Sequence, residues 1–191
     1  MSNQLGFFRI LVAEKLSYER FQHSVGVEVL AGELAEKFGL DVYAAQLAAI
    51  THDLAKSLPY REQLKKANEW KLIHYPEDIQ NPQVIHGRIS AYILKEEYGV
   101  TNQDILNAVA NHTLGRPNMS DLEMLIYSAD LTEPGRNYDG VDKLREKLYY
   151  DLREGTLACM EYTLSYLRQI NRAVHPLTVL AYQDLKNKLE L

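Results

Sequence analysis

The sequence predicts an all-α protein, and three observations carry that prediction. Apolar residues recur at intervals of three and four over most of the chain, and the strict alternation of half-buried strands is missing. Ser, Asp, Gly and Pro fall where helices start and stop. At 191 residues the chain is long enough to bury one core and too short for two large independent domains.

The elements follow in order. Ser17 is placed to cap a helix with apolar Phe21, Val25, Val29 and Phe38, and Gly39 supplies the left-handed stop. Asp41 caps a second helix, Val42 to Lys56, whose alanines imply close burial, and Ser57-Leu58-Pro59 ends it. A polar surface helix is expected over Tyr60 to Trp70. Lys71 to Asn81, with Pro76, reads as a loop into a helix that aligns Ile85, Ile89 and Ile93 and stops at Gly99. Thr101 opens a helix through Ile105, Val109 and His112, broken by Leu114-Gly115-Arg116-Pro117. Ser120 with Glu123 is a capping box, and Met119 with Met124 the matching apolar staple, for a helix from Asp121 to Asp130. Glu133-Pro134-Gly135 then turns the chain. Further helices are expected over Val141 to Arg153, over Gly155 to Arg172 and, after His175-Pro176, over Leu177 to Leu189. The sum is one domain over residues 1–191, with a core at 17–136 and C-terminal helices 141–191 packed on it.

Composition narrows the function classes. The 46% hydrophobic and 25% charged fractions exclude global disorder and fibre. A formal charge of −5 argues against a nucleic-acid polymer as partner, since that surface needs clustered excess Lys and Arg, but leaves room for a small anion held by a few local cations. Cys159 is the single cysteine, so neither an internal disulfide nor a Cys-based metal cluster is available, which fits a reducing compartment. The apolar patch Phe7 to Ala13 is interrupted by Arg9 and lacks the flanks of a signal peptide, and no stretch reaches the roughly 20 apolar residues of a membrane span. A cytoplasmic protein with no membrane partner is expected, and the sequons at Asn111 and Asn118 are then idle.

Six residues distributed over five predicted helices form a series of metal-ligand types: His23, the adjacent His52 and Asp53, His86, His112 and Asp130. Singly, each is more simply a hydrogen-bonded core residue. As a set they ask for a shared partner, because burying ionisable groups is costly and one divalent cation serves several of them. Successive helical side chains point about 100° apart, so His52 and Asp53 reach one ion only if it lies between their directions. His23 and Asp130 would close the site, giving two imidazoles and two carboxylates, a shell that suits Fe, Mn, Co or Zn better than Ca²⁺ or Mg²⁺.

This ordered set resembles the HD-domain metal-dependent phosphohydrolases over about Arg20 to Arg136. Four stretches are similar to the YqeK group of that superfamily: Arg20-Phe21-Gln22-His23, His52-Asp53-Leu54-Ala55-Lys56, Asn111-His112-Thr113-Leu114-Gly115, and Ser128-Ala129-Asp130-Leu131-Thr132-Glu133-Pro134-Gly135-Arg136. Ala173-Val174-His175-Pro176-Leu177-Thr178 resembles a C-terminal segment of the same group, while the Gly-Tyr-Pro tripeptide of cyclic dinucleotide phosphodiesterases is missing. The resemblance implies an HD-type helical bundle that cleaves diadenosine tetraphosphate symmetrically to two ADP. It further implies one metal ion, Fe before Mn, Co or Zn.

Roles follow on that premise. A bound divalent metal lowers a water's pKa from about 15.7 to near 7, and Asp53 would aim that water in line at an inner phosphate. Lys56, three residues on and on the same face, reaches toward the phosphate, and Arg136 returns over the end of the Asp130 helix for a bidentate phosphate contact. His86 and His112 have two assignments, ligands of a second ion or hydrogen-bond donors to phosphate, one of them protonating the leaving ADP; the resemblance favours the second. Asp53, Lys56, His86 and His112 are thus the expected catalytic residues. The metal ligands His23 and Asp130 would also border the substrate, and Thr113 adds a donor. His175 and Thr178 either help hold a base or belong to the start of the last helix at Pro176; His74 is read as a loop residue. The alternatives are the same machinery acting on a nucleoside monophosphate, a deoxynucleoside triphosphate or guanosine tetraphosphate, or a non-catalytic nucleotide sensor. Tyr149, Tyr150, Tyr162 and Tyr166 suggest a homodimer face.

Overall fold

The structure, a computed structural model, describes residues 2–190, with side chains from residue 4 onward. Among the described residues there are helices, turns and loops and no strand. No helix among them is long and apolar enough to cross a membrane.

The first helix, α1 (Ser2–Lys15), was not anticipated from the sequence. Phe8 and Val12 are fully buried on its inner face, and the interrupting Arg9 leans outward to grip Glu28 with contacts of 2.6 to 3.0 Å. Glu28 belongs to α2 (Tyr18–Phe38), which starts where Ser17 Oγ accepts the Arg20 amide and stops at Gly39, at a φ of 69°. Its buried stripe runs through Val27, Leu30, Ala31, Leu34 and Ala35, so the expected stripe was out of phase: Val29 is half exposed, and Phe21 and Val25 lie at the boundary.

Asp41 caps α3 (Val42–Thr51) as expected, but α3 ends five residues before Lys56. From His52 the backbone tightens into successive three-residue turns, Leu54 to Thr51, Lys56 to Asp53 and Leu58 to Ala55. A tertiary contact accounts for the change: the Ala55 amide, which a continuing helix would give to Thr51, donates instead to Ser90 Oγ at 3.0 Å.

The polar helix α4 (Tyr60–Glu69) is present, though Gln63 and Ala67 turn inward. Within the expected loop 71–81 lies a one-turn helix, α5 (Pro76–Gln80), organised by Asp78, whose carboxylate accepts the His74 and Tyr75 amides at 2.9 and 3.0 Å. A 3-10 turn, Pro82–Val84, leads into α6 (His86–Glu96). Asn102, rather than Thr101, caps α7 (Gln103–Asn111), its Oδ1 accepting the Asp104 and Ile105 amides. The Ser120–Glu123 box opens α8 (Asp121–Thr132) as expected, and the helix runs two residues past Asp130.

Every residue of α8 from Leu122 to Ala129 is buried, because α2, α3, α7 and the next two helices all pack on it. The expected break between the next two helices falls earlier, at Asp151: α9 (Val141–Tyr150) and α10 (Leu152–Gln169) are joined by that single residue, which caps α10. The hairpin is so tight that a Cβ on Gly155 would stand 2.3 Å from Leu148 Cα. Finally α11 (Pro176–Leu189) packs on α10, and one apolar core runs from Leu5 of α1 to Leu185 of α11.

Candidate metal centre

The six ligand-type residues arrive from the ends and middles of five segments, and they converge. His23 lies inside α2, His52 and Asp53 on the turns after α3, His86 at the start of α6, His112 at the C-cap of α7 and Asp130 in the last turn of α8. His23 Nε2 stands 2.9 Å from Asp130 Oδ1; His52 Nε2 stands 3.7 Å from Asp53 Oδ2 and 3.8 Å from Asp130 Oδ1. The adjacent His52 and Asp53 therefore do reach one centre, helped by the tightened turns that carry them.

Three of the four rings are fixed by the same device. His52, His86 and His112 each place Nδ1 within 2.6 to 2.8 Å of the carbonyl three residues earlier, Ala49, Gln83 and Val109. The Ala49 and Val109 carbonyls lie in the last turns of α3 and α7, where the ladder leaves acceptors unused, and Gln83 belongs to the 3-10 turn before α6. Donation from Nδ1–H leaves the His52 Nε2 lone pair facing the shared centre, while His86 and His112 turn Nε2 toward Asp53 Oδ1.

The fit to a cation rests on His52. Its Nε2 is fully buried and has no hydrogen-bond partner among the described residues, with two carboxylate oxygens just beyond hydrogen-bond range. An orphaned buried acceptor is costly, whereas donors held at about 2.0–2.2 Å from one ion stand roughly 3–4 Å apart. His23, His52 and Asp130, and His52, Asp53 and His112, form two such groups, each with ligand atoms within 4.8 Å of one another. These His and Asp side chains are placed for a divalent metal.

The electrostatics agree. Burial drives the His52 pKa down to about 4, leaving a neutral imidazole. Burial pushes the Asp53 carboxyl up, yet the imidazoles around it, His52 beside it and His112 and His86 hydrogen-bonded to it, leave it well below the usual carboxylate range. Asp130 is likewise held low, through His23, His52 and His112, against its burial. For His23 burial acts downward, but the contacts to Asp130 and to Glu133 raise it overall.

A second group lies on the far side of Asp53. His86 Nε2 is 2.9 Å from Asp53 Oδ1 and 3.0 Å from His112 Nε2, and Thr113 Oγ1 is 3.1 Å from His112 Nε2. Lys56 Nζ sits 3.3 Å from His86 Nε2, with its pKa lowered by burial against the pull of Asp53 and Asp130. Arg136 Nη2 bonds Asp130 Oδ1 at 3.1 Å and keeps 40% of its side chain exposed. Of the expected site residues, His23, His52, Asp53, Lys56, His86, His112, Thr113, Asp130 and Arg136 are thus one cluster.

His175 and Thr178 are not in it. His175 caps α11 through Nδ1, which accepts the Leu177 amide, and its Nε2–H faces Asp78 Oδ1 at 3.3 Å. Thr178 is buried one turn into α11. His175 nonetheless lines a cavity of about 370 Å³ with Glu77, Gln80, Asn81, Gln83 and Arg172, and the Gln83 carbonyl is the acceptor for His86. His74 is a loop residue, as expected.

Two residues at the centre were missed. Arg20 Nη1 bonds Asp53 Oδ2 at 2.9 Å, and Glu133 Oε1 lies 3.1 Å from His23 Nδ1. Their signal was spacing: Arg20 is three residues before His23 and Glu133 three after Asp130, so each shares a helical face with a ligand.

Comparison with known proteins follows the same lines. Residues 20–135 match the HD domain family. The chain is 40% identical over 176 residues to the protein of Bacillus subtilis named "Bis(5'-nucleosyl)-tetraphosphatase, symmetrical", covering 91% of this chain and 93% of that relative. It is 33% identical over 157 residues to the protein of that name from Staphylococcus aureus, covering 81% and 78%. A solved structure from Clostridium acetobutylicum, described as a "predicted HD superfamily hydrolase involved in NAD metabolism", superposes with a TM-score of 0.92 at 33% identity, over 96% of this chain and 97% of its own.

Proposed function

This chain belongs to the HD domain family, and from that premise we propose that it hydrolyses diadenosine tetraphosphate symmetrically to two ADP. Water attacks one of the two inner phosphorus atoms, the new P–O bond forms as the central anhydride P–O bond breaks, and the leaving ADP takes up a proton. The observation that carries the reading is the buried, unpartnered His52 Nε2 facing two carboxylates.

His23, His52, Asp53 and Asp130 would hold the cation, which supplies an acidified water and a Lewis acid for the phosphoryl oxygens when bound. Iron is the metal we assign first, then Mn, Co or Zn, on the mixed N/O donor set. One ion suffices: the Lys56 ammonium 3.3 Å from His86 Nε2 already supplies a positive charge where a second cation would sit.

The chain's own residues do the rest. Asp53, anchored by Arg20, orients the attacking water. Lys56, Arg136, His112 and Thr113 converge on the non-bridging oxygens, supplying donors where charge builds in phosphoryl transfer. His86, at 2.9 Å from Asp53 and 3.3 Å from Lys56, is the proton donor we assign to the leaving ADP. His175 lines the cavity in which we place one adenosine, together with Gln83, whose carbonyl holds His86; Thr178, buried in the first turn of α11, is the residue we place behind His175.

We read residues 1–191 as one HD-type domain, with 141–191 packed on the core, acting in the cytoplasm. The half-exposed Tyr166 on α10 and the almost fully exposed Tyr150 on α9 form the face we assign to a homodimer, a state that sedimentation reads.

Product analysis tests the activity. With Fe²⁺, Mn²⁺ or Co²⁺ supplied, diadenosine tetraphosphate is expected to give ADP alone; AMP with ATP, or no turnover with any of these metals, overturns the reading.

A further inference from the structure

His23 differs from the other three rings at the centre. His52, His86 and His112 stand at helix ends and spend Nδ1 on carbonyls of their own segments, whereas His23 lies inside α2, where the neighbouring carbonyls are taken by the helix. Its Nδ1 needs an outside acceptor, and the one present is the carboxylate of Glu133 at 3.1 Å.

Glu133 is held for that task. The residue is 4% exposed, just beyond the end of α8, where Arg145 ties down the Thr132 and Glu133 carbonyls at 2.9 and 2.8 Å. Oε2 accepts the Gly135 amide, which leaves Oε1 for His23. The carboxylate packs directly on residue 26, a glycine: a Cβ there would stand 2.5 Å from Oε2 and push it aside. A glycine inside the 21-residue α2 weakens the helix relative to alanine, and at residue 26 it makes room for the Glu133 carboxylate.

We propose that Glu133 is a positioning residue for His23: it accepts the Nδ1 hydrogen, fixes the ring, and presents Nε2 as a charge-enriched donor to the cation. An acceptor-only carboxylate permits no other tautomer at Nδ1 and strengthens the basicity of the opposite nitrogen. The inference rests on the metal reading of the site and adds to it the residue that tunes its one ligand from the middle of a helix.

The test is Co²⁺ binding to the full chain, read as affinity by competition with a chromogenic chelator and as the visible spectrum of the bound ion. Glu133→Gln keeps the shape and loses the charge, and Gly26→Ala displaces Glu133 without touching its chemistry. Each folded variant is expected to bind Co²⁺ about 10- to 100-fold more weakly, with a shifted spectrum. In a His23→Ala background the Glu133 change is expected to add nothing. Wild-type affinity and spectrum in both variants, or an equal further loss without His23, overturns the role of Glu133. Failure of the unaltered chain to bind Co²⁺ at all overturns the metal reading beneath it.

Discussion

His52 Nε2 and Asp130 Oδ1 face each other at 3.8 Å, and nothing among the described residues bridges them. Hydrogen bonding alone leaves that nitrogen unsatisfied in a dry interior, and a divalent ion satisfies it together with its neighbours. Replacing His52 with Ala is therefore expected to cut the bound metal well below one per chain and to slow turnover by about three orders of magnitude, since the Lewis acid is worth several kcal/mol. Elemental analysis beside single-turnover assays checks both; full metal content with normal rates would remove His52 from the site.

The acid stability of the metal-free chain follows from the same residue. His52 is neutral when folded, with a pKa driven to about 4, while the unfolded chain takes up its proton near 6.5. The stability linked to His52 is thus complete above pH 6.5 and declines as pH falls toward 4. His23 acts oppositely, its raised pKa giving stability that is present below 6.5 and lost as pH rises through the folded value. Comparison with His52→Gln isolates the first effect. Denaturant unfolding after chelation is expected to show wild type losing about 2 kcal/mol more than the variant between pH 7 and pH 5. Parallel curves would contradict a buried neutral His52.

The cavity lined by His175 and Gln83 makes a different demand. If His175 holds a base there, its loss removes binding shared by ground and transition states. His175→Ala is expected to raise KM about tenfold and leave kcat within about twofold. A collapse of kcat at unchanged KM would place His175 in the chemistry instead. The Asp78 contact at 3.3 Å is lost with the ring, so a thermal melt should accompany the kinetics.

Gly155 carries the α9–α10 hairpin. Its added methyl would press on Leu148 backbone at 2.3 Å, a contact that no rotamer relieves. Gly155→Ala is expected to cost about 3 kcal/mol in denaturant unfolding, at the upper end for overpacking. A change below about 0.5 kcal/mol would mean that the hairpin opens freely.

What could be read from the sequence was what local chemistry decides. Ser17, Asp41 and the Ser120–Glu123 box cap the helices they were expected to cap, because a side-chain oxygen meets an amide two or three residues away. What could not be read was decided across the fold. Arg9 looked like a break in an apolar run, and its partner Glu28 lies nineteen residues on. Ser90, thirty-five residues from Ala55, ends α3 early. The ligand set was legible because few residue types bind metals and their order is preserved in the chain. Arg20 and Glu133 were not singled out for roles, since an arginine or a glutamate on a helix is ordinarily solvated.

Asp130 is the last-turn residue of a helix whose other faces are clamped by five neighbours. A loosened hairpin or a hole in the packing of α10 against α8 would tilt that helix and swing the carboxylate out of register with His23. Wear anywhere in the interior should therefore be felt first as leakage of the ion, well before the chain as a whole comes apart.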